Sequence, residues 1–106
     1  MSNLNNIQLQ DINDENGVDF YDSFRQKLID IEQFPTIYTF KFIVPANADN
    51  DTKIKEIFTH SSASISNKTS STGKYNSYTI KNFVNDADEV IAYYKKVSVI
   101  EKVIMM

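Results

Sequence analysis

The residues that could do chemistry are few. His60 is the only histidine, and there is no cysteine. A zinc site needs several converging ligands, and a nucleophilic triad needs a nucleophile beside an oriented base. With no thiol and no second imidazole, no zinc set can be completed. His60 falls at the end of an apolar helical pattern, where an imidazole can serve the negative end of the helix dipole. The paired acids Asp49/Asp51 and Asp86/Asp88/Glu89 have the right type for general acid–base work. They stand at the starts of two helical patterns, where carboxylates act as caps and dipole partners. Neither of the two glycines lies in a strand-to-helix turn spaced to cradle a phosphate. The sequence therefore offers no catalytic, cofactor-binding or metal-binding residue.

What remains are residues suited to binding. The stretch Ser70-Ser71-Thr72-Gly73-Lys74-Tyr75-Asn76-Ser77-Tyr78-Thr79-Ile80 reads as the tip and second strand of a β-hairpin. Glycine reaches positive φ without a Cβ clash, so Gly73 makes a tight reversal cheap. Beyond it Tyr75, Ser77, Thr79 and Lys81 share one face, and Asn76, Tyr78 and Ile80 share the other. Ser70, Ser71 and Thr72 suit a turn, and their hydroxyls and amides could also meet an anion or a partner's polar group. Tyr75 could stack on a base. Its companion Tyr78 points to the opposite face, so the paired platform of an RNA-recognition sheet is missing.

The elements that position these residues follow from composition and periodicity. The chain has 106 residues, 42% hydrophobic and 24% charged, a composition suited to one small domain with a single core. No apolar run nears the ~20 residues of a membrane span, and no signal-peptide pattern opens the chain, so a cytoplasmic location is expected. The net charge of −3 is uneven. Residues 1–35 hold seven acids against Arg25 and Lys27; residues 36–106 hold nine lysines against seven acids. A nucleic-acid partner is disfavoured, because such domains are usually more basic.

Residues 1–18, rich in Asn, Asp and Gln, read as a flexible tail. Residues 19–33 read as an acidic amphipathic helix, with Phe20, Phe24, Leu28 and Ile31 as its stripe and Pro35 as its stop. This helix is expected either to cover an open sheet face or to pack beside the core helices. Residues 34–106 read as the main domain. Thr36–Val44 alternates Tyr38, Phe40, Phe42 and Val44 with Ile37, Thr39, Lys41 and Ile43, the pattern of a strand with one face against helices. A helix follows over 49–59, with Ile54, Ile57 and Phe58 inward and Asp49, Asn50 or Asp51 as caps. Then come a polar edge strand over 62–70, the strand 74–83, and a helix over 86–96. That last helix has the stripe Ala87, Val90, Ile91 and Tyr94, with Asp86 or Asn85 as cap. Val97–Met106 reads as a final strand, with either Val103/Met105 or Ile104/Met106 inward.

Strand, helix, strand, strand, helix, strand is the order of an α+β, ferredoxin-like βαββαβ sandwich. Its four-stranded antiparallel sheet carries two helices on one face, and here an extra N-terminal helix is added. Strands one and three become central. The other sheet face then shows Thr39, Lys41, Ser64, Ser66, Lys68, Ser77, Thr79 and Lys81.

Two motifs carry a resemblance. Leu28 to Thr36, with Phe34-Pro35-Thr36 leading into the first strand, and the Ser70-Ser71-Thr72-Gly73-Lys74-Tyr75-Asn76-Ser77 run resemble the YbeD-like family of small bacterial proteins. The resemblance runs from about residue 28 to the C-terminus. It implies a sandwich similar to the amino-acid-binding regulatory (ACT) domains, a regulatory or partner-binding role, and no catalytic residues. Such regulatory domains usually place glycine after the first strand. Pro45-Ala46-Asn47-Ala48-Asp49 has none, which argues against a conventional amino-acid site. The expected function is a non-enzymatic regulatory or protein-interaction module. The alternatives are a small-ligand sensor and, last, a single-stranded nucleic-acid binder. The candidate partner-binding residues are Lys41, Lys68, Ser70, Ser71, Tyr75, Ser77 and Lys81. The expected partner is another protein, with no cofactor and no membrane, and the chain itself is expected to be a monomer or weak homodimer.

Overall fold

The computed structural model describes residues 17–105, with side chains from Tyr21 onward. The tail expected over residues 1–18 lies outside this range except for its last two residues; the Phe20 side chain and Met106 lie outside it as well. The elements are α1 (Gly17–Ile31), β1 (Thr36–Pro45), α2 (Ala48–Ile57), β2 (Ser64–Thr69), β3 (Tyr75–Val84), α3 (Ala87–Val97) and β4 (Ile104–Met105). The antiparallel sheet has the order β2-β3-β1-β4, with β1 and β3 central. This is the ferredoxin-like arrangement, with α1 added.

Alternation decides the two faces of the sheet. Phe40, Phe42 and Val44 of β1 and Tyr78, Ile80 and Val84 of β3 are buried, while Thr39, Lys41, Ser77 and Lys81 are exposed. Against the buried face pack Ile54 and Phe58 from α2 and its end, and Val90, Ile91, Tyr94 and Val97 from α3. Ile57, expected in the core, is only half-buried at its edge. Asn82 occupies an inward position between these apolar residues. Its Nδ2 donates to the Phe83 carbonyl at 2.8 Å and to the Tyr93 hydroxyl at 3.3 Å.

Helix starts are fixed by side chains, though not always the expected ones. The Asn47 side chain caps α2, accepting from the Asn50 N–H at 2.7 Å. This displaces Asp49, Asn50 and Asp51 as cap candidates. Asp49 and Asp51 instead lie in the first turn and pair with Lys53 and Lys55 at 3.1 and 2.9 Å. At α3, Asp86 is the cap, accepting from the Glu89 N–H at 2.9 Å, and Glu89 reaches back to the Asn85 N–H at 2.8 Å.

α1 packs beside α3 in the helix layer and leaves the open sheet face clear. Phe24 meets Tyr94 edge-on at 5.2 Å, Arg25 Nε pairs with Asp88 at 2.7 Å, and Lys95 lies 4.7 Å above the Tyr21 ring. Phe24 and Leu28 are buried, but Ile31, expected in the stripe, is 55% exposed. The expected long final strand is also corrected. Val97 ends α3, residues 98–102 turn, and only Ile104–Met105 pair with β1. Val103 and Met105 are the inward residues, with Ile104 half-buried on the open face.

One contact ties the sheet to α2 and is sensitive to pH. The buried Tyr78 donates its hydroxyl proton to Asp51 Oδ1 at 2.6 Å. Hydrogen bonds from Tyr78 and Lys55 hold the Asp51 carboxyl below its ordinary value of 3.8. Those from Asn85 hold Glu89 below its ordinary 4.5. A carboxyl depressed by folding stabilises the fold above its ordinary pKa, and that contribution is lost as pH falls through the lower folded value. The melting temperature should therefore hold between about pH 7 and 5 and fall below about pH 4. Asp51→Asn should flatten part of that fall; an unchanged acid limb in the variant would show that the Tyr78–Asp51 bond carries no linkage.

Candidate functional site

The hairpin sets the geometry of the open face. Gly73 takes φ +75°, with no heavy atom near the position of an added Cβ. The Gly73 N–H donates to the Ser70 carbonyl at 2.9 Å, and the Ser70 N–H to the Tyr75 carbonyl at 2.8 Å. The Ser70 hydroxyl accepts from the Tyr75 N–H at 3.2 Å and lies 3.3 Å from Thr72 Oγ1. Its expected turn-forming role is thus visible as hydrogen bonds. This closure puts Lys68 opposite Ser77, Ser66 opposite Thr79 and Ser64 opposite Lys81.

Five of the seven candidate residues come together. Lys68, Ser70, Ser71, Tyr75 and Ser77 line one groove of about 510 Å³ at the hairpin end of the open face, with Ile43 and Thr69. Tyr75 is 42% exposed there, and Ile43 adds an apolar wall from β1. Sequence alternation puts Ile43 on the open face, but only the register shows that it meets Ser77 and faces this groove. Lys41 and Lys81 do not line the groove. They lie further along the same face, Lys41 opposite Thr79 and Lys81 opposite Thr39.

The electrostatics of the face are one-sided. The only charged residues in the four strands are Lys41, Lys68 and Lys81, and all three point to the open side. Lys41 and Lys81 are diagonal neighbours on adjacent strands, a relation that puts residues roughly 7–8 Å apart. Their repulsion is small in water, roughly 0.6 kcal/mol before salt screening. Among the described residues no carboxylate lies within ion-pair distance to offset it: the ion pairs use Arg25, Lys53 and Lys55 instead.

A second, smaller hollow of about 220 Å³ was not expected from the sequence. His60, Glu89, Tyr93 and Lys96 stand around it. Their polar groups are largely committed to the fold. His60 Nδ1 accepts from the Ser62 N–H at 3.0 Å and lies 2.8 Å from Ser62 Oγ, which itself accepts from the Phe83 N–H at 2.8 Å. His60 therefore ties the approach to β2 onto β3. Glu89 is held by Asn85, and Lys96 lies 5.5 Å from the centre of the Tyr93 ring. Among the described residues no group of three or more His, Asp or Glu side chains is placed to hold a metal ion. No described helix is long and apolar enough to cross a membrane.

Comparison with known proteins gives a family without a role. No curated protein and no solved structure matches the chain. Residues 30–106 match the family described as "Protein of unknown function (DUF493)", in keeping with the resemblance to small YbeD-like proteins. That match takes in β1 to β4, α2, α3 and the whole open face, and so the chain belongs to the DUF493 family of proteins of unknown function.

Proposed function

We propose that this protein is a non-enzymatic interaction module that binds another protein through its open sheet face. The observation that carries this reading is the groove at the hairpin end, where Lys68, Ser70, Ser71, Tyr75 and Ser77 meet beside Ile43. An exposed aromatic ring, an apolar wall and a rim of hydroxyls and a cation make up the anatomy of a small protein-binding surface. A regulatory role would follow from occupation of that face by a partner. The domain acts as a monomer or weak homodimer, because its β2 edge is polar and carries Lys68.

The test is capture of a binding protein by the immobilised chain and by a Lys68→Ala/Tyr75→Ala variant. The double variant should lose at least about tenfold in affinity with an unchanged melting temperature. Lys96→Ala, on the helix side, should bind as the parent does. Equal capture by all three would remove the open face as the interface.

A small-ligand sensor is the second reading, favoured by the size of the groove, which falls among ligand pockets of roughly 300–1,000 Å³. A free amino acid that raises the melting temperature of the parent but not of Tyr75→Ala would choose it.

A further inference from the structure

The lysines of the open face have no counter-charge in the strands that present them. Thr79 of β3 lies at their centre. Lys41 is directly opposite it on β1, Lys81 is two residues along β3, and Lys68 is diagonal to it on β2. Thr39, Ser64, Ser66 and Ser77 fill the neighbouring positions, so the surroundings are hydroxyls that can donate to an anion. The described acids all lie outside the strands, and none is within ion-pair distance of these ammonium groups.

We propose that this face receives an acidic, extended segment of a partner protein. Its carboxylates lie against Lys41, Lys68 and Lys81 around Thr79, while an apolar side chain enters the groove between Ile43 and Tyr75. The proposal rests on the protein-interaction reading above and gives the partner its chemistry. An extended chain sets alternate side chains about 6.8 Å apart on one side. That spacing suits carboxylates placed over diagonal neighbours such as Lys41 and Lys81. From Lys81 to Tyr75 the face runs six residues of β3, or roughly 20 Å, which about seven extended residues cover.

Nucleic acid fits less well. Three lysines neutralise only about three phosphates, and the whole chain carries −3, which repels a polyanion. Base stacking needs aromatic rings close together on the face. Tyr75 and the half-buried Phe83 stand at opposite ends of β3, eight residues and roughly 27 Å apart.

The test uses the full chain, labelled for amide NMR. The probes are an eight-residue peptide with Glu at positions 1, 3 and 5, Val at position 7 and Thr elsewhere, so that the Glu and Val side chains share one side when it is extended, its counterpart with Gln in place of Glu, and an eight-nucleotide oligothymidylate. The Glu peptide should give saturable shifts at Lys41, Lys68, Thr79 and Lys81, weakened by added salt, and the Gln peptide should bind at least about tenfold more weakly. Lys41→Gln/Lys81→Gln should lose at least about tenfold for the Glu peptide while its melting temperature stays or rises, since an unpaired like-charge contact is relieved. Structural lysines would lower it. The proposal falls if the oligothymidylate binds tighter than the Glu peptide, if shifts arise in the helix layer, or if no shift appears by about 1 mM peptide. It also falls if dilution of the free chain, or removal of residues 1–16, shifts the same amides, because a second copy or the chain's own acidic start would then be the occupant. Equal binding of the Gln and Glu peptides at the groove overturns the acidic partner and leaves the protein-interaction reading standing. Capture of a partner unaffected by Lys68→Ala/Tyr75→Ala overturns that wider reading.

Discussion

Replacing Phe40 by alanine should destabilise the domain by about 3–5 kcal/mol. Phe40 lies on the central strand β1 and is 0% exposed. Its ring centre is 4.8 Å from Tyr38, 5.2 Å from Phe58, and 5.5 Å from both Tyr93 and Tyr94. These neighbours come from β1, the end of α2 and α3, so no single element can move in to fill the space. The cavity term is therefore retained in full alongside the lost transfer energy. Small domains have only about 5–15 kcal/mol in all, so the variant should sit near its unfolding threshold at room temperature. Urea denaturation measures this directly. A loss below about 1 kcal/mol would show that Phe40 is not a core residue. Thr39→Ala, one position away on the open face, should change stability by no more than about 0.5 kcal/mol.

The contrast between Phe40 and Thr39 is legible in the amino-acid sequence, because β1 alternates without a break. Where an element has one buried face and one wet face, the period of two places every side chain. The hairpin is legible for a similar reason: a glycine between two strand-like runs has few other uses. The C-terminal run is not. Val97, Val99, Ile100, Val103 and Ile104 are β-branched and suit a strand, yet Val97 completes α3 and Ile100 is buried in the turn that follows. Propensity cannot separate these, because burial against the core satisfies a β-branched side chain in a turn as well as in a strand. The cap of α2 lies ahead of its expected place, since Asn47, Asp49, Asn50 and Asp51 are all good caps by type. Only the backbone shows that Asn47 is extended and the others helical. For the candidate site, sequence supplies the face but not the convergence. Which side chains meet at the groove depends on the pairing of Lys68 with Ser77 and of Ile43 with Ser77; the bonds around Ser70 and Gly73 set the first register, whereas the second joins β1 to β3 across a long stretch of chain and is set by no local turn.

Leu28→Ala should cost about 2–5 kcal/mol, although most of α1 precedes the part of the chain that matches the family. The family match begins at residue 30, near the end of α1, so one reading makes α1 an appendage on a complete domain. The packing argues otherwise. Leu28 is 1% exposed and Phe24 3%, both within the core cluster that includes Phe40, Phe42 and Tyr94. The Phe24 ring stands edge-on to Tyr94, a geometry that adds about 0.5–1.5 kcal/mol beyond area burial. The Arg25–Asp88 pair that accompanies it is exposed on both sides and should contribute no more than about 1 kcal/mol. Apolar contact therefore holds α1 in place, with charge secondary. Ile31→Ala is the internal control: that side chain is 55% exposed and its loss should cost about 0.5 kcal/mol or less. Removing residues 1–33 would strip both core side chains at once, and the remaining chain should fail to fold cooperatively. If the truncated chain instead melts as the parent does, or if Leu28→Ala costs no more than Ile31→Ala, α1 is an appendage after all. Because α1 lies in the helix layer, none of these changes touches the open face. Any fragment that stays folded should therefore keep the lysines around Thr79 and the groove at Tyr75, and should bind an acidic partner as the parent does.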